Sequence, residues 1–396
     1  LPNCPNFVSG VAVLATSTWA ALEGARKLDV KWQMPGSRDD SDELMQRFEH
    51  ALETADEIVR NDGDVAFDNA EHSIDVTYRL PFLAHMPMEP MNCTAHVHAD
   101  RAEVWAPTQN PSMAAEAAAK VLDIPQENIT VHVVRSGGAF GRRYYADFVT
   151  DTVLLAKQFK RPVKTVWPRE DDVRHGYFRP SSAQRVRAAT SDGKISHWHQ
   201  RVASHPRQRY LERDGSPAEI ANYEFPAGFV PNLLFDYSAV PARIPLGQWR
   251  GTEHSSNVFV VSSAIDELAH AAGVDPVEFW LGLVGDEQFV QVREDFRFDA
   301  SRLRKVIELA ANKADWGKPL PKGTGRGISA CYAQGAWAAE VAEVTVNNNQ
   351  LKIDKITCAI DCGLVINPQG AANQVEGGIV DGLAAALYGR ITVKQG

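Results

Sequence analysis

Five short segments hold the residues whose types and spacing could do chemistry. The first is Ser136-Gly-Gly-Ala-Phe-Gly-Arg-Arg143, set between an alternating strand pattern at 129–134 and a helical pattern at 145–158. A glycine-rich strand-to-helix turn lets backbone N–H groups approach an anion, and the helix N-terminus favours negative charge. The segment lacks both the Gly-Lys-Ser/Thr ending of a Walker loop and the spacing of a dinucleotide GxGxxG. Taken alone, an ordinary tight turn is its simpler reading. The second segment is Thr108-Gln109-Asn110-Pro111. Asn110 is a good helix cap and Pro111 fits the first helical position, so Gln109 ends a strand with its amide facing either a site or solvent. The third is Arg250-Gly251; its guanidinium suits a phosphate, a carboxylate or a surface ion pair. The fourth runs from Asp361-Cys-Gly363 through Asn367-Pro368 to Gln374-Val-Glu-Gly-Gly378, with glycines that permit close approach to a ligand or tight helix packing. In the fifth, Met86-Pro-Met-Glu-Pro-Met91, Glu89 is a candidate acid or an arginine's partner. Histidines at 85, 96 and 98 raise the question of a metal. His96 and His98 share a strand face, but no third ligand stands near them in sequence, so no metal ligands are assigned.

Elements must position these groups. Residues 11–14 and 28–32 read as strands around a helix at 17–27, a β-α-β fragment. A helix at 42–55 carries Leu44, Phe48 and Leu52 on one stripe. The pattern favours strands from His72 to about Trp105, then a helix to Leu122 and a strand at 163–167. Residues 185–245 carry weak signals and read as short strands and loops, with a short apolar strand end at 244–249. Residues 258–272 form an amphipathic helix closed by Gly273, and Asp275-Pro-Val-Glu278 starts another. A boundary loop at 313–326 precedes strands at 327–332, 339–346 and 352–360, with a hairpin turn at 347–349. Residues 373–388 read as a helix and 388–396 as a strand just begun.

Length and composition set limits. A chain of 396 residues suggests two or three domains. A formal net charge of −9 argues against a nucleic-acid partner. The basic pairs and clusters at Arg142–Arg143 and 157–164 are too short for a duplex-binding stripe. The five cysteines contain no CxxC pair, which argues against a disulfide framework or an iron–sulfur cluster. Cys358 and Cys362, four apart in a strand pattern, are expected to share a face and pack. No apolar run approaches the ~20 residues of a membrane-spanning helix, and no signal peptide is visible. Leu1-Pro-Asn-Cys4 has no initiator Met, and both ends read as cut from something longer.

In their order, PMEPMNCTAHV, APTQNP, GGAFGRR, RPVKTVWPREDD, WRGTEHSSNVFVVSSAIDELAHAAGVDPVEF, AAEVAEVTV and IDCGLVINPQGAANQVEGGIVDGLAAALYG resemble molybdopterin-binding large subunits of the xanthine dehydrogenase and aldehyde oxidase superfamily. The WR…HS.N.F spelling and the VEGGI.DGL.AALYG ending are most similar to the isoquinoline 1-oxidoreductase beta-subunit branch. The resemblance runs from about Val11 to Gly396. It implies an α+β fold, the molybdenum-cofactor-binding architecture of mixed sheets and packed helices. Residues 1–35 would be the tail of an α/β hammerhead domain, 36–318 the first cofactor-binding part, and 319–396 a truncated second.

The resemblance also implies roles. Gln109 matches a glutamine that hydrogen-bonds an oxo group on molybdenum. Gly138, Ala139, Phe140 and Gly141 match a loop whose backbone amides hold the metal's oxygen ligand and the pterin. Arg250 matches an arginine beside the cofactor, and Gln374 a glutamine that touches the pterin. Tyr144 stands where purine-oxidising relatives have a substrate-binding Glu. Tyr144, Tyr145 and Trp249 therefore suit a flat apolar heterocycle or an aldehyde, or form core. The implied enzyme is a molybdenum-dependent oxidoreductase that inserts water-derived oxygen at a carbon next to a ring nitrogen or at an aldehyde carbon. Its cofactor would be molybdopterin cytosine dinucleotide, and its partner a small subunit with two 2Fe-2S clusters. The family's catalytic Glu, in a Gly-Glu segment, and its GQG loop are both expected outside these residues. The fragment is then expected to be inactive alone, with a non-catalytic scaffold as the alternative and a nucleotide-dependent enzyme as the unrelated one. The branch implies a periplasmic location, with the cytoplasm as alternative.

Overall fold

The computed structural model describes residues 10–33, 39–67, 70–207 and 218–396. Near the start, helix α1 (Thr18–Arg26) forms with Ser17 as its cap. The strands expected at 11–14 and 28–32 do not form. Val11, Leu14, Leu28 and Trp32 are exposed there, because an apolar run becomes a strand only when a neighbouring edge pairs with it. Helix α2 (Ser41–Ala51), capped by Asp40, buries Leu44 and Phe48, with Leu52 following.

Two strand-rich layers follow. Strands β1 (Glu57–Asp62), β2 (His72–Leu80) and β3 (Leu83–Ala84) lead to β4 (Asn92–Val97) and β5 (Ala102–Ala106). Helix α3 (Pro111–Leu122), capped by Asn110, crosses to β6 (Ile129–Val133). Helix α4 (Asp147–Phe159), strand β7 (Val163–Val166), helix α5 (Arg169–Arg174) and β8 (Phe178–Arg179) come next. A four-stranded sheet in the order β6-β5-β4-β7 results. Its inner face, with Cys93, Ala95, Val104 and Ile129, packs on Ala114, Ala118, Phe148 and Val153 of α3 and α4. Its other face carries His96, Glu103, Trp105 and His132, none of them fully buried.

Strands β9 (Ser182–Ser191), β10 (Lys194–Ser204) and β11 (Asn232–Ala239) complete a five-stranded sheet in the order β1-β11-β10-β9-β2. These are eight to eleven residues long, not the short strands and loops expected for 185–245. Ser182, Gln184, Thr190, Gln200 and Ser204 are buried in them, and these polar positions hide the apolar alternation. Helix α6 (His254–Ala272) ends at Gly273 in the left-handed conformation, and α7 (Pro276–Val284) is capped by Asp275. Both pack on the sheet around Trp198, Phe235, Ile265 and Trp280. Burying each such side chain contributes about 1.5–3 kcal/mol. The expected apolar strand at 244–249 is reduced to one bridge, Phe178 to Leu246.

The hairpin β12 (Phe289–Arg293) and β13 (Phe296–Asp299) leads to α8 (Ala300–Lys313). An antiparallel sheet of β14 (Thr324–Ala333), β15 (Ala336–Asn347) and β16 (Gln350–Asp361) follows. Asn348 and Asn349, both at positive φ, make its two-residue turn, as hairpin twist demands. Cys362 falls beyond the end of β16 and is exposed, so Cys358 and Cys362 do not share a strand face. Helix α9 (Pro368–Leu387) buries no residue. Beyond it, Ile391 bridges Phe82, and the strand expected there goes no further.

One carboxylate in this framework gives a pH prediction. Burial, and then the neighbouring Asp147, push Asp151 of α4 up to about 7, against a smaller opposing pull from Arg142. Its folded value lies above its unfolded one, so the folded state holds the extra proton. That stability is complete below about pH 4 and is lost as pH rises to about 7. Asp151→Asn should therefore raise stability at pH 8 by on the order of 2–4 kcal/mol and leave it unchanged at pH 4. Denaturant titrations of both proteins at the two pH values check this.

Candidate functional site

Topology brings the first two chemical segments together. Strands β5 and β6 are parallel neighbours, and each runs out at the same edge of its sheet. The chain after β5 carries Thr108 to Asn110, and the chain after β6 carries Gly137 to Gly141. Ligand loops collect at such strand C-termini because both crossover turns open on one side. The two loops touch: the Gly141 N–H donates to Gln109 Oε1 at 3.1 Å, and the Gln109 N–H donates to the Arg143 carbonyl at 2.9 Å.

The glycine loop is held open by its backbone. Gly138 (φ 95°), Phe140 (φ 55°) and Gly141 (φ 104°) are all left-handed. At Phe140 that conformation costs on the order of 1–3 kcal/mol, so the surroundings must enforce it. A Cβ on Gly141 would stand 1.8 Å from the Gln248 carbonyl oxygen. The backbone N–H groups of Gly138, Ala139 and Phe140 find no acceptor among the described residues. Three adjacent free donors form a concave anion cradle. Gly141, also expected to offer its amide, does not, because Gln109 takes it. Gln109 in turn keeps its Nε2 donors free among the described residues.

Below the loop sit Arg142 and Arg143, both buried and not part of a basic surface. Arg143 donates to the Gly138 carbonyl at 2.8 Å, to the Glu89 carbonyl at 2.7 Å and to Glu89 Oε2 at 2.9 Å. The same carboxylate accepts the Gly137 N–H at 2.8 Å. Glu89 is thus the arginine's partner. Arg142 pairs twice with Asp147, at 2.9 and 2.7 Å, and lies over the rings of Trp167 and Tyr177. His85 donates from Nε2 to the Gln248 carbonyl at 2.7 Å, since that oxygen only accepts. Burial pushes His85 down to about 4, so its ring is neutral at physiological pH.

Arg250 joins the loop to α9. Its guanidinium lies 5.6 Å from the centre of the Phe140 ring. It donates to Asp381 Oδ2 at 2.7 Å and to the Gln374 carbonyl at 2.9 Å. It lies beside Gly377 and Gly378, where an added Cβ would only touch it in ordinary contact at 3.6–3.7 Å. Arg250→Ala should loosen α9 by roughly 1–2 kcal/mol, from charge-assisted bonds in a half-exposed setting. Amide exchange in α9 should then accelerate about tenfold, while exchange in α3 stays unchanged.

Trp249 is half-buried, with the Arg179 guanidinium 5.9 Å from its ring. Tyr144 is half-buried and edge-on to Tyr145, whose hydroxyl accepts the Gln248 N–H at 2.9 Å. Tyr144 and Trp249 therefore flank the same Tyr145–Gln248 link. Sequence reasoning raised His85 only as a metal question and missed Gln248 and Asp381; these residues act through contacts 131 to 163 positions away, which no local signal shows. The carboxylates bound into this region are paired: Glu89 with Arg143, Asp147 with Arg142, Asp172 with Arg169 and Asp381 with Arg250.

Family models of the molybdopterin cofactor-binding domain match residues 48–281 and 260–396. The chain belongs to the molybdopterin-binding proteins of the xanthine dehydrogenase and aldehyde oxidase family. The first match holds Gln109, the glycine loop and Arg250, and the second holds Gln374 and Asp381. Arg250 therefore ties one molybdopterin-binding domain to the other.

Among relatives, isoquinoline 1-oxidoreductase subunit beta of Brevundimonas diminuta is 27% identical, over 98% of this chain and 51% of its own length. A membrane-bound aldehyde dehydrogenase (pyrroloquinoline-quinone) of Gluconacetobacter polyoxogenes is 30% identical, over 98% and 53%. The chain spans about half the length of these relatives. The crystal structure of quinoline 2-oxidoreductase from Pseudomonas putida 86 matches with a TM-score of 0.60 at 18% identity, over 82% of this chain and 44% of that one. That likeness shows the shared fold. Among the described residues, no helix is long and apolar enough to cross a membrane.

Proposed function

We propose that this chain supplies the cofactor cradle of a molybdenum hydroxylase large subunit that oxidises a nitrogen heteroaromatic ring carbon or an aldehyde. The observation that carries the reading is the row of free N–H groups at Gly138, Ala139 and Phe140, faced by the free Nε2 of Gln109, in a molybdopterin-binding family. Backbone donors at a strand-to-helix turn fit an anionic oxygen or a pterin edge, whereas a side chain at Gly141 would collapse the cradle.

When bound, the molybdenum centre supplies two-electron oxidation of the substrate carbon with oxygen taken from water. The chain's own residues position that chemistry. Gln109 would donate from Nε2 to the bound cofactor, and Gly138, Ala139 and Phe140 would offer it their backbone N–H groups. Gln374, held by Arg250, offers its Nε2 to the pterin from α9. Tyr144 and Trp249 wall a flat apolar substrate. Purines are poor candidates, because no carboxylate stands at position 144 to bind them. We assign the cofactor as the cytosine dinucleotide form and the electron acceptor as a small subunit with two 2Fe-2S clusters. The paired state of Glu89, Asp147, Asp172 and Asp381 supports a proton acceptor supplied from elsewhere in the protein. Residues 1–396 alone are then inactive.

The test is turnover of the full-length protein, purified with its partner subunit, in oxygen-18 water. Quinoline-type heterocycles or aromatic aldehydes should yield labelled product, and xanthine none. Labelled urate from xanthine, or no turnover of any heterocycle or aldehyde, would contradict the reading.

A further inference from the structure

We propose that His96, His98 and Glu103 form a binding site for one zinc-class divalent cation on the open face of the four-stranded sheet. In sequence the two histidines lack a third ligand. Strand pairing supplies it: Glu103 of β5 lies directly opposite His96 of β4, and His98 follows on the same face. A hairpin closed by the His98 N–H to the Arg101 carbonyl, at 2.9 Å, fixes this register. One ligand atom from each of the three residues lies within 4.8 Å of the others. Tetrahedral zinc at bond lengths near 2.1 Å needs about 3.4 Å between its ligands, a gap that small side-chain rotations close.

Two further observations point to a cation. His98 Nε2 is buried and has no hydrogen-bond partner, yet it faces Glu103 Oε2 at 3.8 Å. Two electron-rich atoms facing across that gap need a proton or a cation between them. The other carboxylate oxygen, Glu103 Oε1, is 3.4 Å from His132 Nε2, and the His132 ring stacks on Trp105 at 4.8 Å. His132 thus orients the carboxylate as an outer partner would in a metal site. The His96 and His98 rings stand 4.0 Å apart between centroids, so both can turn toward one point. Two imidazoles and one carboxylate suit zinc and its first-row neighbours over magnesium or calcium, with the fourth position open to water.

The site is on a different face from the glycine loop, so its test stands apart from the cofactor reading. The full-length protein, dialysed against chelator, is titrated with zinc chloride by calorimetry, with cobalt chloride as the spectroscopic probe. One equivalent should bind saturably, with tetrahedral cobalt bands, and zinc should raise Tm. His98→Gln and Glu103→Gln should each weaken binding at least about tenfold and abolish the Tm rise. His132→Gln should weaken it less. Molybdenum content should be the same in all four proteins. Because these side chains are at least partly exposed, metal-free Tm should agree among the variants. Absence of saturable zinc binding would overturn the proposal, as would binding that survives all three substitutions. In that case the cluster is only the contact of Glu103 with His98 and His132.

Discussion

Gly141→Ala should lower stability by on the order of 3–5 kcal/mol and leave the full-length protein without molybdenum. Two costs combine. Alanine at φ 104° takes up a conformation that L side chains avoid, at about 1–2 kcal/mol. Its Cβ would also stand 1.8 Å from the Gln248 carbonyl oxygen, a position that only backbone movement relieves. Gln248 is pinned by His85 below and by Tyr145 beside it, so the loop has to move instead. Movement there breaks the Gly141–Gln109 bond and misaligns the three free donors. Gly193→Ala is the control. Gly193 also has positive φ, 69°, but nothing lies within 4 Å of an added Cβ. It should cost only about 1–2 kcal/mol and spare molybdenum content. Chemical denaturation and elemental analysis of both variants separate steric collapse from simple backbone strain.

Arg143→Met should cost about 2–4 kcal/mol. The guanidinium is fully buried and ties the Gly138 carbonyl, the Glu89 carbonyl and the Glu89 carboxylate together. Removing one partner of a buried pair leaves the other charge uncompensated, a penalty of about 3–5 kcal/mol when both are buried. Glu89 keeps about a third of its side-chain surface, which lowers the figure. Adding Glu89→Gln should recover roughly half of the loss, because no stranded carboxylate then remains. Urea titration of the single and double variants measures the coupling. A double variant no more stable than Arg143→Met would show that the arginine's backbone bonds, not the ion pair, hold the loop.

Local signals carried the sequence reading where backbone chemistry is local. Asn110-Pro111, Asp275-Pro276, Gly273 and the Asn348-Asn349 turn act through their own dihedrals and nearest N–H groups, so their positions could be read directly. The adjacency of Gln109 to the glycine loop was legible only through the resemblance, since it depends on β5 and β6 being parallel neighbours. The central strands β9, β10 and β11 escaped notice. Gln184, Gln200 and Asn257 bury their amides by bonding one another, so polar residues occupy core positions. The apolar runs at 11–14 and 28–32 misled in the opposite sense, since they find no pairing edge. Arg142 and Arg143 looked like a basic surface cluster because charge in a sequence carries no sign of burial. Asp381 meets Arg250 only after α9 is placed, and nothing around it foretold that.

On the proposed function, this chain cradles a molybdopterin cofactor of the cytosine dinucleotide type. The direct measurement is molybdenum, and cytidine monophosphate released by hydrolysis, in the full-length protein purified with the partner subunit proposed for it. One equivalent of each per large subunit is expected, both lost in Gly141→Ala and both kept in Gly193→Ala. Protein from a cofactor-competent host that carries neither molybdenum nor a cytosine nucleotide would contradict it and favour the scaffold alternative.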